Sequence, residues 1–486
     1  MHTYYGEGGF WMEDRVKMGF LPTRRNVFSK EDALKYKSLI RNKIENYNID
    51  IVDIEDINNE GLLSDNADDI KKVIYKFKNE NVDAIFVPHC NFGTEDAVAK
   101  VAKEINKPLL LWGPRDEAPL DDGMRLRDTQ CGLFATGKIL RRFNVPFSYL
   151  VNSYLDDLSF ERGFKNFISV AYVVKKFNSL KILQISTRPE GFWTMIYNEG
   201  ELLERFGIQI TPVTLKDVEQ KTLSVEKEDG TELKTTIEFI KSKFDCTEVS
   251  DLDVKRVAAF KVALNRLIKE KDCSAVAIQC WTALQVSLGI MPCLVNGLLT
   301  DEGIPVTCET DVHGAISAVI AQAASMNSAV PFFADLTIRH PENENGELLF
   351  HCGNFPPSLC SNDDKPKFKH HFLFESHAPG TAEFEIKGGD ISIVRFDGDH
   401  GEYSLLLGKA KGIKGPYTRG TYLWVEVNDW PMWEEKLVKG PYVHHCVGIH
   451  HDVIPVLYEA CNFIPGLKAD PIDPTEQEIK EFLRGR

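Results

Sequence analysis

The sequence has no run of about 18 consecutive apolar residues, so no membrane-spanning helix is expected among its 486 residues. The first ten residues lack a basic segment followed by an apolar one, and we therefore expect no secretory leader. The 11 cysteines include no Cys-x-x-Cys pair, which argues against a disulfide framework and against a thiolate zinc site. A reducing cytoplasm is the expected location.

An excess of positive charge is also missing. The formal net charge is -15, so nucleic acid is not an expected partner, because phosphate binding uses clustered Lys and Arg. Hydrophobic residues make up 43% of the chain and charged residues 27%, as in ordinary globular proteins. The length allows two or three domains at roughly 150 residues each.

Several common active-site motifs are absent. No Gly-x-Ser-x-Gly segment is present, which argues against a nucleophile elbow. No His-Glu-x-x-His segment is present either, which argues against the common metallohydrolase motif. The segment Gly93-Thr-Glu-Asp follows a strand pattern but lacks the glycine spacing of a dinucleotide-binding loop.

The order of secondary-structure patterns predicts the fold class. Strand patterns alternate with helix patterns over the first 170 residues and again up to residue 345, which is typical of parallel sheets covered by helices. After residue 345 the segments 382–386, 390–396, 403–408 and 421–427 alternate apolar and polar residues between turn signals, which is typical of antiparallel strands. The sequence thus predicts two parallel-sheet α/β domains, residues 1–172 and 173–345, followed by a β-rich C-terminal domain, residues 346–486.

Two carboxylates follow apolar strand patterns. Glu309 ends the pattern Val306-Thr-Cys-Glu, and Asp335 follows Val330-Pro-Phe-Phe-Ala. Ligands bind at the carboxyl ends of parallel strands, and carboxylates crowded at a buried edge need a compensating cation. The alternative is ordinary: a surface residue for Glu309 and a turn cap for Asp335.

Histidines follow two further strand patterns. His351 comes after Leu348-Leu-Phe, and the pair His450-His451 comes after Val447-Gly-Ile. Adjacent strand residues point to opposite faces, so one member of a pair reaches a given site. The pairs His370-His371 and His444-His445 show that the pattern alone is not distinctive. Two carboxylates with one or two imidazoles predict a site for a divalent ion such as Mn²⁺ or Mg²⁺.

With these segments in hand, the chain resembles the L-fucose isomerase and L-arabinose isomerase superfamily, nearer to the L-fucose isomerase-like branch. Two early segments carry the similarity: Pro88-His-Cys-Asn-Phe-Gly-Thr-Glu after a strand pattern, and Leu-Trp-Gly at 111–113. The similarity extends over nearly the whole length, with two α/β domains before a β-rich domain.

The spacing of the ligand candidates also matches this superfamily. Asp335 follows Glu309 by 26 residues. His351 follows Asp335 by 16 residues, and His451 follows His351 by 100. The resemblance implies that Glu309, Asp335 and His451 bind the metal, with His351 as a further ligand or as a neighbour of the ligands.

The resemblance also implies a reaction. We expect an intramolecular oxidoreductase, an aldose–ketose isomerase that depends on Mn²⁺, with Mg²⁺ or Co²⁺ as alternatives. Glu309 and Asp335 would move the proton of an open-chain sugar through a cis-enediol. The sugar would be similar to L-fucose or D-arabinose, or an aldose modified at C6 such as sulfoquinovose. A homotrimer or homohexamer with the active site at the subunit interface is implied.

Polar and aromatic residues near strand ends are candidates for holding the sugar. They are Arg188, Gln279, Trp281 and Trp424, and core packing is the alternative for each tryptophan. Arg24, Arg25 and Arg115 are candidates for recognising an anionic substituent, because guanidinium suits bidentate binding of oxyanions. The competing hypothesis is a non-catalytic cytoplasmic sugar-binding or sensor protein, because two α/β domains in tandem also describe that class.

Overall fold

A computed structural model describes residues 14–361 and 365–484. The described chain forms two compact units. One contains residues 14–175, 458–464 and 476–484, and the other contains 176–457, apart from 362–364, together with 465–475. Across these ranges, no helix is long and apolar enough to cross a membrane.

The first unit is built on a five-stranded parallel sheet. Its strands lie in the order β2-β1-β3-β4-β5. They are β1 (Val16–Phe20), β2 (Ile49–Val52), β3 (Ala84–Pro88), β4 (Leu109–Trp112) and β5 (Ser148–Tyr149), and the helices along this segment are α1 (Lys30–Ile44), α2 (Ala67–Asn79), α3 (Glu95–Ile105), α4 (Thr129–Arg142) and α5 (Leu158–Asn178). Every residue of β3 and β4 is buried, as expected for parallel strands covered on both faces.

The second unit begins with a four-stranded parallel sheet in the order β7-β6-β8-β9. Its strands are β6 (Lys181–Ile185), β7 (Gln209–Val213), β8 (Ala275–Ile278) and β9 (Val306–Thr307), and the helices are α6 (Glu199–Phe206), α7 (Leu215–Glu228), α8 (Thr231–Lys243), α9 (Asp251–Lys271), α10 (Ala283–Ser287), α11 (Cys293–Asp301) and α12 (Val312–Ala324). Helix α12 is buried along its whole length. It contacts both β8 and the strands of the next sheet, and its many small residues permit this close packing.

The same unit contains a nine-stranded sheet in the order β12-β13-β16-β11-β10-β17-β14-β15-β18. Most neighbours are antiparallel, whereas β13–β16 and β15–β18 are parallel. The strands are β10 (Pro331–Arg339), β11 (Gly346–His351), β12 (Lys367–His370), β13 (Pro379–Glu385), β14 (Asp390–Asp399), β15 (Glu402–Ile413), β16 (Thr421–Glu426), β17 (His445–Ile449) and β18 (Leu467–Asp473), with helix α13 (Trp430–Lys439). Helix α14 (Ile454–Ala460) includes residues of both units, and α15 (Glu476–Leu483) belongs to the first unit.

The predicted fold class is confirmed: parallel α/β regions precede a β-rich C-terminal region. The second unit holds both the sheet expected of the central domain and the sheet expected of the C-terminal domain. The division into three domains at residues 172 and 345 therefore stays a prediction.

The pairing of β10 with β17 brings distant residues together. Asp335 lies opposite His445, and Phe332 lies opposite Gly448. A Cβ atom on Gly448 would lie 2.2 Å from the Phe332 ring, a distance that real atoms do not adopt. Because Gly448 has no side chain, the Phe332 ring fits beside β17 and the two strands keep this register.

We expect Gly448→Ala to destabilise the protein by about 1–3 kcal/mol, because the added methyl group forces Phe332 out of its place in a packed core. The measurement is the thermal unfolding midpoint. Gly191→Ala is the matched control, because a Cβ there has no atom within 4 Å. Equal midpoints for the two variants would contradict the account of this strand pair.

Candidate active site

Two neighbouring strands of the second unit's parallel sheet end at one edge. Strand β8 ends at Ile278 and β9 at Thr307, and the two strands are paired in parallel. Cys280 and Glu309 each follow their strand by two residues, so both lie beyond the same sheet edge. The thiol of Cys280 donates a hydrogen bond to Glu309 Oε1 at 3.1 Å. This bond fixes one oxygen of a buried carboxylate.

The backbone at Glu309 has an unusual conformation. Glu309 and Thr310 have φ angles of 53° and 59°, in the left-handed region that costs a non-glycine residue on the order of 1–2 kcal/mol. Hydrogen bonds hold the turn: the Thr310 N–H donates to Ile278 O, and the Asp311 N–H donates to Cys308 O, both at 3.0 Å. Such strain persists where the surroundings enforce it, and it is concentrated at functional sites.

Four side chains from separate segments converge beside this turn. Glu309 Oε2 lies 3.6 Å from His351 Nε2 and 3.8 Å from His445 Nε2. Asp335 Oδ1 lies 3.3 Å from His445 Nε2 and 4.0 Å from His351 Nε2. The structure thus brings together the two predicted carboxylates, the predicted His351 and an unpredicted histidine, His445.

The converging atoms lack protein partners. Glu309 Oε2, Asp335 Oδ1 and His351 Nε2 are buried and make no hydrogen bond within the described residues. A buried polar atom left without a partner costs about 1–3 kcal/mol, so three of them facing one space indicate a ligand. Carboxylate oxygens and imidazole nitrogens are ligands for divalent ions. The arrangement fits one such ion.

His445 has the environment of a metal ligand. Its Nδ1 lies 2.9 Å from Asp311 Oδ2, so Nδ1–H donates to the carboxylate and the lone pair of Nε2 faces Glu309 and Asp335. A carboxylate behind a histidine orients the ring in metal sites. Burial would lower the pKa of His445, but the hydrogen bond to Asp311 and the charge of Asp335 raise this pKa above its usual value.

His351 has a different environment. The backbone N–H of Cys352 donates to His351 Nδ1 at 2.9 Å. The neutral ring therefore carries its hydrogen on Nε2. In this conformation His351 presents a hydrogen-bond donor to the space between Glu309 and Asp335. The sequence left open whether His351 is a metal ligand or a neighbour of the ligands, and this hydrogen bond favours the second role.

The predicted ligand His451 lies elsewhere. Asp335 pairs with His445 in the β10–β17 ladder, so His451 is six residues further along the chain. Its side chain is exposed, and its carbonyl accepts a hydrogen bond from Ser392 Oγ. The structure therefore places His445, and not His451, beside the carboxylates. Strand register, which the sequence spacing does not reveal, is the physical reason for the difference.

Two of the predicted sugar-binding residues lie at the carboxyl end of β8. Gln279 Oε1 accepts a hydrogen bond from Ser186 Oγ at 3.0 Å. The partly buried Trp281 makes an edge contact with Phe374, with ring centroids 4.8 Å apart. Both residues adjoin Cys280 in the chain and so share the edge on which the four side chains converge.

The other predicted sugar-binding residues are engaged within the fold. Trp424 is buried in β16 and donates its indole N–H to Pro416 O, which agrees with its packing alternative. Arg188 donates to the carbonyls of Pro189 and Glu190 in its own loop.

The three arginines considered for anion recognition belong to the first unit. Arg24 pairs with Glu60 at 2.6 Å, and Arg25 forms an ion pair with Glu95. Arg115 places its guanidinium 5.4 Å from the Tyr154 ring centroid. Their role in binding an anion stays a prediction.

A buried charged network behind His445 was not predicted as part of the site. Arg395 on β14 forms ion pairs with Asp311 and with Asp397, and Asp397 Oδ1 lies 2.9 Å from His313 Nδ1. One signal was present in the sequence: Arg395 is a lone charge in the apolar strand Ile391-Ser-Ile-Val-Arg-Phe. The pair His444-His445 immediately before Cys446-Val-Gly-Ile was a second signal.

The chain is similar to known proteins over most of its length. Residues 19–178 match the family described as fucose/sulfoquinovose isomerase, N-terminal domain. A sulfoquinovose isomerase from Priestia aryabhattai is 24% identical over 365 residues, covering 74% of this chain and 79% of that protein. A sulfoquinovose isomerase from Alkalicoccus urumqiensis is 27% identical over 387 residues, covering 78% and 83%.

One of the solved structures that this chain matches is a distant one. An ABC transporter periplasmic solute-binding protein from Actinobacillus succinogenes, with bound D-allose, is 12% identical and covers 64% of this chain and 92% of its own. Its TM-score is 0.16. The matching family model and the curated relatives support the similarity of this chain to the fucose isomerase-like superfamily.

Proposed function

We propose that this chain is a divalent-metal-dependent aldose–ketose isomerase that moves a proton between C1 and C2 of an open-chain sugar through a cis-enediol. The observation that carries the proposal is the convergence of unpartnered buried atoms from Glu309, Asp335 and His351 beside His445 Nε2. Among the sugars considered, a C6-sulfonated glucose is the preferred substrate, because two matched relatives bear the name sulfoquinovose isomerase.

Glu309, Asp335 and His445 would hold the metal, with Mn²⁺ preferred and Mg²⁺ or Co²⁺ as alternatives. When bound, such an ion supplies Lewis-acid polarisation of the sugar carbonyl and lowers the pKa of the adjacent hydroxyl. His351 would donate its Nε2–H to an oxygen in the same space.

Glu309 and Asp335 would act as the acid/base pair. Burial would raise the pKa of Glu309, but the His351 and His445 imidazoles lower this pKa below its usual value. Glu309 is therefore ionised and able to accept a proton near neutral pH. Asp335 is the more accessible carboxylate, with 22% of its side chain exposed, and it can exchange protons with the sugar oxygens.

Further parts of the proposal concern binding and assembly. Gln279 and Trp281 would contact the sugar from the edge of β8, with Arg188 as a further candidate after β6. The resemblance supports a homotrimer or homohexamer whose active site is completed at a subunit interface, in the cytoplasm. The competing sugar-binding or sensor function is not favoured, because sugar binding alone does not require the unpartnered carboxylate and histidine atoms.

We expect the protein loaded with Mn²⁺ to convert an aldose to its ketose, and to lose this activity on chelation and regain it on addition of Mn²⁺. The measurement is an NMR assay with C6-sulfonated glucose, L-fucose, D-arabinose, L-arabinose and D-glucose. The sulfonated sugar should turn over fastest. Sugar binding that is insensitive to chelators, without turnover of any of the five sugars, would instead support the sensor function.

We expect His445→Gln to weaken Mn²⁺ binding by at least about 10–100-fold, because even the groups that support metal ligands contribute that much. His451→Gln should bind Mn²⁺ as the unaltered protein does. Isothermal titration calorimetry on metal-free protein measures both affinities. A larger loss of Mn²⁺ affinity in His451→Gln than in His445→Gln would instead support His451 as the ligand, as the sequence spacing implies.

We expect Mn²⁺ affinity to fall as pH falls. The raised pKa of His445 means that its proton is retained to higher pH than in a free histidine, and this proton must leave for Nε2 to bind a metal. Below that pKa the affinity should drop about tenfold per pH unit for each proton displaced. Calorimetric titrations from pH 8 to about pH 5 measure this slope, and a flat profile would contradict the protonation account.

A further inference from the structure

Two buried cysteines, Cys280 and Cys308, lie beside Glu309. The sulfur atoms of Cys280 and Cys308 and a carboxylate oxygen of Glu309 all lie within 4.8 Å of one another. The Cys280 thiol donates a hydrogen bond to Glu309 Oε1. We propose that Cys280, Cys308 and Glu309 form a second metal site, for a thiophilic ion such as Zn²⁺ or Cd²⁺.

Two side-chain amides hold the sulfur of Cys308 in place. The side-chain amides of Asn296 and Asn354, both buried, donate to Cys308 Sγ at 3.4 and 3.5 Å. They approach from different segments, one from helix α11 and one from the loop after β11. Hydrogen bonds from outer residues onto ligand atoms orient those atoms in metal centres.

The ligand chemistry separates this site from the first one. Thiolates select soft or borderline ions such as Zn²⁺, whereas carboxylates suit Mn²⁺ and Mg²⁺. Zinc–sulfur bonds are about 2.3 Å and zinc–oxygen bonds about 2.0–2.2 Å. Tetrahedral ligands of one zinc ion lie roughly 3.5–3.8 Å apart, so atoms that lie within 4.8 Å of one another would need to shift by about 1 Å or less to enclose one ion.

Glu309 is shared by the two sites, and this sharing has a functional consequence. Oε1 faces Cys280, while Oε2 faces His351 and His445. An ion on the cysteines would hold the carboxylate that acts as the base, so Zn²⁺ or Cd²⁺ would inhibit the isomerase. This consequence rests on the proposed function, whereas the binding of the ion does not.

The test is a Cd²⁺ titration of the metal-free protein, kept reduced with a phosphine. Cadmium bound to sulfur gives an ultraviolet charge-transfer band, and cadmium bound only by oxygen and nitrogen does not. We expect the band to saturate at one equivalent and to be absent in Cys280→Ser and Cys308→Ser. Cys293→Ser, another buried cysteine, is the matched control and should keep the band.

No band in the unaltered protein, or a band that survives in Cys280→Ser and Cys308→Ser, would overturn the site. Because a serine variant could fail to fold, X-ray absorption of the unaltered protein loaded with Zn²⁺ gives an independent answer. Two sulfur neighbours at about 2.3 Å are expected, and a shell of oxygen and nitrogen alone would overturn the proposal.

Inhibition separates this proposal from the proposed function. If Mn²⁺-dependent turnover exists, Cys280→Ser should raise the Zn²⁺ concentration for half-inhibition by at least about tenfold, relative to its own uninhibited rate. Equal inhibition of the variant and the unaltered protein would overturn the inhibitory role of the cysteines. A cadmium–sulfur band in a protein that isomerises none of the five sugars would leave the second site intact and refute the isomerase.

Discussion

The negative charge of two carboxylates in a largely buried space is the constraint on which the rest of the site depends. Glu309 is buried and Asp335 is mostly so, and water cannot solvate them fully there. Ionised carboxylates in such a place need cations or donors around them. The imidazoles of His351 and His445 supply part of this compensation, and a divalent ion would supply more. Hydrogen bonds of the turn hold the left-handed backbone at Glu309, whose carboxylate lies in this space.

Buried charged side chains behind His445 fix the orientation of its imidazole ring. Arg395 is buried between Asp311 and Asp397, and Asp311 also bonds to His445. Burial would raise the pKa of Asp311, but the Arg395 charge holds this pKa far below its usual range. Asp311 therefore stays ionised and keeps the Nδ1–H of His445 pointing at it. Removing one partner from such a buried set typically costs about 3–5 kcal/mol, so the orientation of His445 depends on β14 as well as on its own strand.

Local patterns predicted the fold better than they predicted the site. The apolar strands β3, β4 and β8 and the alternating C-terminal strands follow directly from hydrophobic periodicity. Glu309 and Asp335 were predictable because each ends an apolar run. His445 was not, because the choice among three His-His pairs depends on the pairing of β17 with β10, which arises only when residues distant in sequence meet. The clustering of Cys280 with Cys308 could not be predicted for the same reason, because the two residues do not form a Cys-x-x-Cys pair in the sequence.

The ladder between β10 and β17 also bears on how such chains can change length. Asp335 and His445 are 110 residues apart in sequence, yet they are direct neighbours across main-chain hydrogen bonds. Loops between the intervening strands can gain or lose residues without moving either side chain. A single insertion inside β17 would turn His445 to the opposite face of the sheet. Insertions and deletions should therefore accumulate between these two strands, while the strands themselves keep a constant number of residues.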